Sequence, residues 1–293
     1  MKNDLYYIYW LIRTYPMRWN FPRYKILSFE ETVNEIIQNK KSISRFGDGE
    51  FRLLLKEKSI YFQELNYNIA ARLDEVLNSK LQNHLIALPS SFISRVNLKR
   101  DVKIHWLNFI NLKGKQIAKQ IKNVSYVFAD ALISRFYLDY ENKMEVSKRI
   151  KLLQKIWDGK DVLIIEGELS RLGVGNDFFI NSKSMERIIC PATNAFTQYD
   201  QILNAAKEHG RNKLIVIALG PTATILSYDL AKENYWALDL GHIDIEYSWY
   251  LQKARTKVPI KGKKSAEVNG AEDFQLTDIE ENIYKKSIIA KIS

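Results

Sequence analysis

Two acidic residues, Asp48 and Glu50, stand on either side of Gly49, directly after a short alternating apolar stretch at 43–46. Carboxylates at positions i and i+2 of a tight turn can share one hard cation such as Mg2+ or Mn2+. Arg45, three residues before Asp48, carries a fork of donors that suits a phosphate group. The pattern predicts a site for a metal and a phosphate. The alternative is a polar surface turn, since Asp-Gly is a common turn dipeptide.

A second candidate is the helix start at Gly220-Pro221-Thr222. Proline is preorganised for the first position of a helix. The free amides of Ala223 and Thr224, the hydroxyls of Thr222 and Thr224, and the helix dipole would together form an anion site. The alternative is an ordinary helix start after a glycine turn.

A glycine-rich stretch at 167–177 opens from the apolar run at 161–166. Within it Arg171 could contact a phosphate, and Asn176 or Asp177 a sugar hydroxyl. The stretch matches neither a Walker loop nor the dinucleotide-binding pattern GxGxxG. A polar surface loop with internally satisfied hydrogen bonds is the alternative.

The run from Gly241 to Glu246 places an imidazole and two carboxylates close together. His242 could complete a metal shell begun by Asp48 and Glu50, while Asp244, or Glu246 as a second choice, could act as the general base. The alternative is a structural histidine. No role is predicted for the other three histidines, His84, His105 and His209.

The elements that must position these residues alternate between strand and helix. Residues 161–166 and 213–219 are continuous apolar runs, as expected for parallel strands covered on both faces. Ser28 and Glu31 form a capping box that starts a helix. The pattern predicts an α/β fold with a mostly parallel sheet. Ligands bind such sheets beyond the carboxyl ends of the strands, so the four loops are expected to share one edge.

Composition limits the classes of protein. The chain has 293 residues, 46% hydrophobic and 27% charged, which suffices for a large core. Its single cysteine, Cys190, excludes an internal disulfide and thiolate zinc sites, and it fits a reducing, cytoplasmic location. The net charge of +10 attracts anions such as nucleotides and lipid headgroups. Because the cations are spread along the chain, no nucleic-acid partner is expected.

The two ends of the chain differ from its middle. Residues 1–27 are aromatic and basic, which suits contact with an anionic membrane at its inner face, although no clean amphipathic period runs through them. The alternative is an N-terminal helix packed on the domain. We expect an extension at 1–27, a catalytic domain at 28–256, and a lysine-rich loop and C-terminal tail at 257–293.

Several blocks of the sequence resemble the GT-D-fold glycosyltransferases, a family typified by the glucosyltransferase that extends the glycan of streptococcal serine-rich-repeat adhesins. The resemblance spans about residues 28–256, and its blocks are residues 44–50, 161–177, 188–196, 219–231 and 238–247. It implies a Rossmann-like, mostly parallel twisted sheet flanked by helices. It also implies a UDP-sugar donor, a divalent metal such as Mn2+ or Mg2+, and a glycan or glycoprotein acceptor that can be lipid-linked.

The family's Asp-x-Glu motif falls on Asp48 and Glu50, which the resemblance assigns to the metal and the donor diphosphate. The other residues that it implies for donor binding are Ser44, Arg45, Gly47, Arg171, Gly173, Gly175, Asn176, Asp177, Gly220, Pro221, Thr222, Thr224 and Gly241. The expected reaction is transfer of a hexose, such as glucose, to a hydroxyl of a bacterial adhesin, capsule or cell-wall glycan. The alternatives are another metal-dependent nucleotide enzyme, such as a nucleotidyltransferase or phosphohydrolase, and a non-catalytic protein that binds polyanions or glycans.

Overall fold

The computed structural model describes residues 2–263, 268 and 276–293, and a nine-stranded sheet forms its centre. In chain order the strands are β1 Lys25–Ile26, β2 Ser42–Arg45, β3 His84–Leu88, β4 Val127–Asp130, β5 Asp161–Gly167, β6 Ser184–Cys190, β7 Leu214–Ala218, β8 Trp236–Asp239 and β9 Ile288–Lys291. Across the sheet they follow the order β1-β4-β3-β2-β8-β7-β5-β6-β9, and each neighbouring pair runs parallel. The predicted α/β class with a Rossmann-like parallel sheet is confirmed.

Helices cover both faces of the sheet. They are α1 Lys2–Arg13, α2 Tyr15–Asn20, α3 Phe29–Asn39, α4 Asp48–Leu54, α5 Tyr67–Leu77, α6 Arg100–Gln120, α7 Val146–Gln154, α8 Tyr199–Gly210, α9 Pro221–Lys232, α10 Ile243–Leu251 and α11 Asp278–Ser287. The predicted capping box is present at the start of α3, where the hydroxyl of Ser28 accepts from the amide of Glu31. None of the described helices is long and apolar enough to cross a membrane.

The central strands read as continuous apolar runs because both of their faces are buried. In β5, Val162 and Ile164 pack into the cluster that contains side chains of α3, α7 and α10. The intervening residues, Leu163 and Ile165, pack against α8 and α9 on the opposite face. The alternation of side chains along a strand thus divides one apolar run between two cores.

The strand order reverses between β2 and β8. Ile43 of β2 pairs with Leu238 of β8, while Arg45 at the end of β2 pairs with Ala87 of β3. Helix α9 packs across β2 and β8 and connects β7 to β8. Such a reversal opens a crevice beyond the carboxyl ends of the strands, which is where open α/β sheets bind ligands.

The chain ends differ from the expected boundaries. Residues 25–26 form β1, which pairs with β4, so the segment 1–27 is not separate from the sheet. At the other end β9 pairs with β6, and α11 precedes it, so residues 276–293 complete the sheet rather than form a tail. Residues 264–267 and 269–275 of the predicted lysine-rich loop lie outside the described residues.

Candidate active site

A cavity of about 800 Å³ lies at the reversal of the strand order. Its wall includes residues that follow seven of the strands, β2 through β8. The predicted site residues that line it are Arg45, Gly47, Asp48, Glu50, Gly220, Pro221, Gly241 and His242. Gly167 and Ser170 of the glycine-rich stretch also line the cavity. Each of the four loops singled out in the sequence therefore contributes some of its residues to the same cavity.

The floor of the cavity is organised by Arg45 and Asp239. The backbone amide of Arg45 donates to Oδ2 of Asp239 (3.1 Å), and its Nη2 donates to Oδ1 (3.0 Å). Its Nε donates to the backbone carbonyl of Asp239 (2.6 Å), and Nη1 donates to the hydroxyl of Ser134 (2.5 Å). The guanidinium predicted to hold a phosphate is thus already engaged in tying β2 to β8 and to the segment after β4.

Gly241 is close to this arrangement. Its φ is +54°, and an added Cβ would lie 2.8 Å from Nη2 of Arg45. A side chain here would be strained by the backbone conformation and would also displace the guanidinium. The glycine predicted to contact the donor therefore leaves room for Arg45.

The two acids of the Asp-x-Glu motif lie on the first turn of α4, not in a loop as the sequence suggested. The carboxylate of Glu50 turns back and accepts from the amide of Gly47 (2.8 Å). Burial, with the negative charge of Asp239 nearby, raises the pKa of Glu50 from 4.5 to about 7. Glu50 therefore offers the cavity a carboxyl group that titrates near neutral pH.

The carboxylate of Asp48 has partners different from those of Glu50. Its Oδ2 lies 3.6 Å from Nη2 of Arg52 and 3.8 Å from Nε2 of His105, and 44% of its side chain is exposed. The two carboxylates are therefore not directed at one shared point. Nε2 of His242 lies 3.1 Å from the hydroxyl of Ser170.

The expected metal shell of Asp48, Glu50 and His242 is accordingly not assembled. No group of three or more acidic, histidine or cysteine side chains suited to a metal ion occurs among residues 2–263, 268 and 276–293. A magnesium-like ion commonly uses one or two carboxylates and takes its other ligands from substrate phosphates and water. The exposed carboxylate of Asp48 fits that mode of binding.

The hydroxyls predicted for the anion site face the protein interior. Thr224 is buried, and its Oγ1 lies 3.1 Å from the carbonyl of Arg45 and 3.2 Å from Oδ2 of Asp239. Thr222 is buried too, with its Oγ1 3.5 Å from Oε1 of Gln63. At the start of α9 the cavity therefore meets Gly220 and Pro221 rather than these hydroxyls.

Ser44 is likewise buried. Its hydroxyl donates to the carbonyl of Thr224 (2.6 Å) and lies 2.8 Å from Nε2 of His84. Because burial lowers the pKa of His84 to about 3, this histidine is neutral and structural. Ser44 therefore joins β2 to α9 and does not reach the cavity, contrary to the donor contact expected of it.

The glycine-rich loop divides into two parts. Gly167 and Ser170 line the cavity. The second part, residues 171–177, does not line the cavity and contacts other segments of the chain. There Arg171 donates to the carbonyl of Gly262 (3.1 Å), and its Nη2 lies 3.4 Å from Oε2 of Glu281.

The remaining residues of that loop are held in the same way. Asn176 Nδ2 donates to the hydroxyl of Ser248 (3.1 Å), and Asp177 accepts from the hydroxyl of Tyr247 (2.7 Å). The predicted donor contacts Arg171, Gly173, Gly175, Asn176 and Asp177 are all absent from the cavity wall. The prediction of donor contacts there does not fit the geometry, because these residues fasten the loop to α10 and the C-terminal segment.

The two acids proposed as general base are buried. Asp244 accepts from the amide of Gly173 (2.8 Å) and pairs with Nζ of Lys263. Glu246 accepts from the amides of Tyr137 (3.0 Å) and Leu138 (2.8 Å). Burial raises the pKa of Glu246 to about 7.

Neither Asp244 nor Glu246 lines the cavity, so neither can reach a substrate hydroxyl there. Both lie on the first turn of α10, whose residues 243–249 are all buried. Their place after a strand suggested chemistry, but their partners are backbone amides, Lys263 for Asp244, and Arg135 for Glu246 (Nη1 to Oε1, 3.8 Å).

Sequence reasoning missed other basic, acidic and aromatic residues of the cavity wall. They are Phe62, Lys99, Asp101, His105, Trp106, Arg135, Asp139, Arg255 and Lys257. Nζ of Lys99 donates to the carbonyl of Arg255 (2.8 Å), which joins the start of α6 to the segment after α10. The adjacent basic and aromatic residues at the start of α6 were the available signal.

The comparisons with known proteins agree with this architecture. The family model described as the glycosyltransferase GT-D fold matches residues 43–268. A probable glycosyl transferase, Gly, of Streptococcus gordonii is 35% identical over 269 residues, covering 92% of this chain and 39% of the relative. The glycosyltransferase GlyD of Streptococcus pneumoniae serotype 4 is 33% identical over 276 residues, covering 92% of this chain and 32% of the relative. The chain thus spans less than half the length of these curated relatives.

Solved structures show the same fold. A conserved domain of unknown function, described as having a distinct glycosyltransferase fold, superposes with a TM-score of 0.86 at 33% identity, covering 97% of this chain and all of that one. A new glycosyltransferase from Streptococcus sanguinis superposes with a TM-score of 0.83 at 35% identity, covering 92% of this chain and all of that one. From its sequence and its fold, this chain belongs to the GT-D-fold family of glycosyltransferases.

Proposed function

We propose that the protein transfers a hexose, such as glucose, from a UDP-sugar to a hydroxyl of a growing bacterial glycan. The observation that supports this most is the meeting of the Asp-x-Glu motif, the start of α9 and His242 in one cavity at the reversal of the sheet. Sugar transfer from a nucleoside diphosphate requires that the charge of the departing diphosphate be neutralised. The cavity offers the amino-terminal end of α9 and the cations Lys99 and Arg255 for this purpose.

Asp48 is the residue that would hold a divalent metal, together with oxygens of the donor diphosphate. A bound Mn2+ or Mg2+ would add positive charge next to the leaving group. Asp48 is suited to this because its carboxylate is half-exposed at the cavity rather than buried against backbone amides.

Glu50 is the proposed general base. It lines the cavity, and its pKa of about 7 lets it accept a proton from an acceptor hydroxyl near neutral pH. Asp244 and Glu246 are not retained for this step because they are buried away from the cavity. The proposed acceptors are adhesin, capsule and cell-wall glycans, including lipid-linked ones. The proposed location is the cytoplasm, at the inner face of the membrane.

Release of UDP tests the proposal. Purified protein is incubated with UDP-glucose, UDP-galactose or UDP-GlcNAc, in Mn2+ or in EDTA, and free UDP is measured. We expect one donor to release UDP in Mn2+ and not in EDTA. Asp48→Asn should reduce this release by about a hundredfold or more. The matched control is Asp200→Asn, since Asp200 is exposed on α8 and does not line the cavity.

Full activity of Asp48→Asn would overturn the role given to Asp48. Release of phosphate or pyrophosphate instead of UDP would favour a phosphohydrolase or a nucleotidyltransferase. Salt-sensitive binding of polyanions without turnover, and without stabilisation by any UDP-sugar in a thermal-shift assay, would favour a binding protein.

A further inference from the structure

The N-terminal helices expose an apolar stripe to solvent. The amide of Thr14 donates to the carbonyl of Trp10 (3.1 Å), and the carbonyl of Thr14 accepts from the amide of Arg18 (3.0 Å), so the helical path continues from α1 into α2. The stripe consists of Leu5, Ile8, Ile12, Tyr15 and Trp19, which are 68, 49, 70, 55 and 71% exposed. Their spacing of three and four residues places them on one side of the helical path.

Both helices pack on α6, which fixes their other side to the domain, and two residues of the segment after α2 are buried. Phe21 and Tyr24 are buried, and Met17 packs against the same core as α5 and α6. Gly114 of α6 permits the contact, since an added Cβ would lie 3.2 Å from Sδ of Met17 and from Cδ2 of Phe21. The domain therefore holds the apolar stripe outward.

The charge around the stripe is predominantly positive. Residues 2–25 contain five cations, Lys2, Arg13, Arg18, Arg23 and Lys25, and one acid, Asp4. The guanidinium of Arg13 lies 5.7 Å from the ring centroid of Tyr9, and that of Arg18 lies 6.0 Å from the ring of Tyr15. Cations beside aromatic rings and an apolar stripe match the boundary between acyl chains and anionic headgroups.

We propose that α1 and α2 bind an anionic lipid surface, with the stripe from Leu5 to Trp19 in contact with the acyl chains. A second copy of the protein could also cover an apolar stripe. Pairing of two such segments, however, would bring together five cations from each copy with only one acid, Asp4, from each to compensate them. The charge favours lipid, and the inference does not depend on the sugar-transfer reaction.

Vesicle flotation tests the apolar part of this surface. The full chain is mixed with vesicles of phosphatidylcholine alone, or of phosphatidylcholine with phosphatidylglycerol, and we expect binding to the anionic vesicles. Ile12→Ser with Trp19→Ser should weaken that binding by about tenfold or more, because both side chains lose their apolar contact. The matched control is Tyr67→Ser with Met144→Ser, which removes apolar side chains that are each 78% exposed elsewhere.

The charges provide a second, independent variant. Arg13→Gln with Arg23→Gln should weaken binding by about fivefold for each cation removed, and added salt should reduce the difference. Lys148→Gln with Lys285→Gln is the control, since these side chains are 78 and 69% exposed on other helices. Circular dichroism verifies the fold of each variant.

Equal binding to neutral vesicles would contradict the proposal, and so would equal losses in the test and control variants. Absence of vesicle binding, with self-association abolished by Ile12→Ser and Trp19→Ser, would assign the stripe to an interface between copies.

Discussion

Two groups of ionisable side chains, one lining the cavity and one buried, differ in their partners. The cavity group consists of Asp48, Glu50, Lys99 and His105, all of which line the cavity. The buried group consists of Glu166, Arg187, Asp244 and Lys263, which form two ion pairs shielded from solvent. In the cavity group, Oδ2 of Asp48 lies 3.6 Å from Nη2 of Arg52 and 3.8 Å from Nε2 of His105. In the buried group, Oε1 of Glu166 lies 2.7 Å from Nη1 of Arg187.

The two groups differ in whether the chain itself supplies the partners of each carboxylate. Glu166 also accepts from the amide of Leu172 (2.6 Å), so its carboxylate is satisfied by the chain itself. Asp48 keeps an exposed carboxylate that a ligand can still approach. A charged residue after a parallel strand therefore indicates a ligand site only where the chain does not supply the partners.

The largest effect is expected in the buried group. Arg187→Ala leaves the fully buried carboxylate of Glu166 without its cation, and we expect a loss of about 3–5 kcal/mol in the free energy of unfolding. The control is Lys122→Ala, which removes a surface partner of Asp74 and should cost less than about 1 kcal/mol. Urea unfolding measures both. Equal losses would mean that the buried ion pair stabilises the fold no more than a surface ion pair does.

The activity is expected to depend on pH through Glu50 of the cavity group. If Glu50 is the base, it must be deprotonated, so kcat/KM should rise with pH and level off above about 7, falling about tenfold per unit well below that pH. Glu50→Gln, which can still accept from the amide of Gly47, should remove this dependence along with most activity. A wild-type profile that is flat from pH 5 to 8 would exclude Glu50 as the base.

The same pKa also affects stability, with a defined sign. The folded chain keeps a proton on Glu50 at pH values where the unfolded chain has lost it, since the pKa is raised from 4.5 to about 7. The contribution of Glu50 to the free energy of unfolding should therefore fall as the pH rises through that interval. Urea midpoints of wild type and Glu50→Gln, compared at pH 5 and pH 8, should diverge in that direction.

The smallest expected effects are changes in KM for the donor, and they should distinguish Lys99 from Arg171. Lys99→Gln removes a cation from the cavity wall and should raise KM for the donor by roughly tenfold. Arg171→Gln should leave KM within about twofold, because its side chain is turned towards Gly262 and Glu281. Initial-rate kinetics measure KM for the donor in both variants. A large KM effect of Arg171→Gln would restore the sequence-based expectation of a phosphate contact.

Much of the fold could be predicted because its signals are local. The capping box at Ser28 and Glu31 sets the start of α3, and the apolar runs of β5 and β7 reflect burial on both faces. Strand β9 was missed since its alternating burial is short and follows a charged helix. The strand order cannot be read from periodicity, because it depends on pairs such as Ile43 with Leu238.

The site was predictable at the level of loops but not of side chains. Parallel strands bring their following loops to one edge, so the convergence followed from topology. The direction of each side chain depends on distant partners. Asp244 is bound by Lys263, and Glu246 by the amides of residues 137 and 138, and none of these contacts has a local signature.

The junction of β2 with β8 also has a consequence for biosynthesis. Residues 42–45 leave the ribosome almost two hundred residues before their neighbour at 236–239 is made. Because non-local pairing is slow and synthesis proceeds from the N-terminus, the half of the sheet made first must wait with one edge of β2 uncovered. The cavity, whose floor is the contact of Arg45 with Asp239, can therefore form only when most of the chain has been translated. Nascent chains halted before β8 should expose that edge to chaperones and to aggregation.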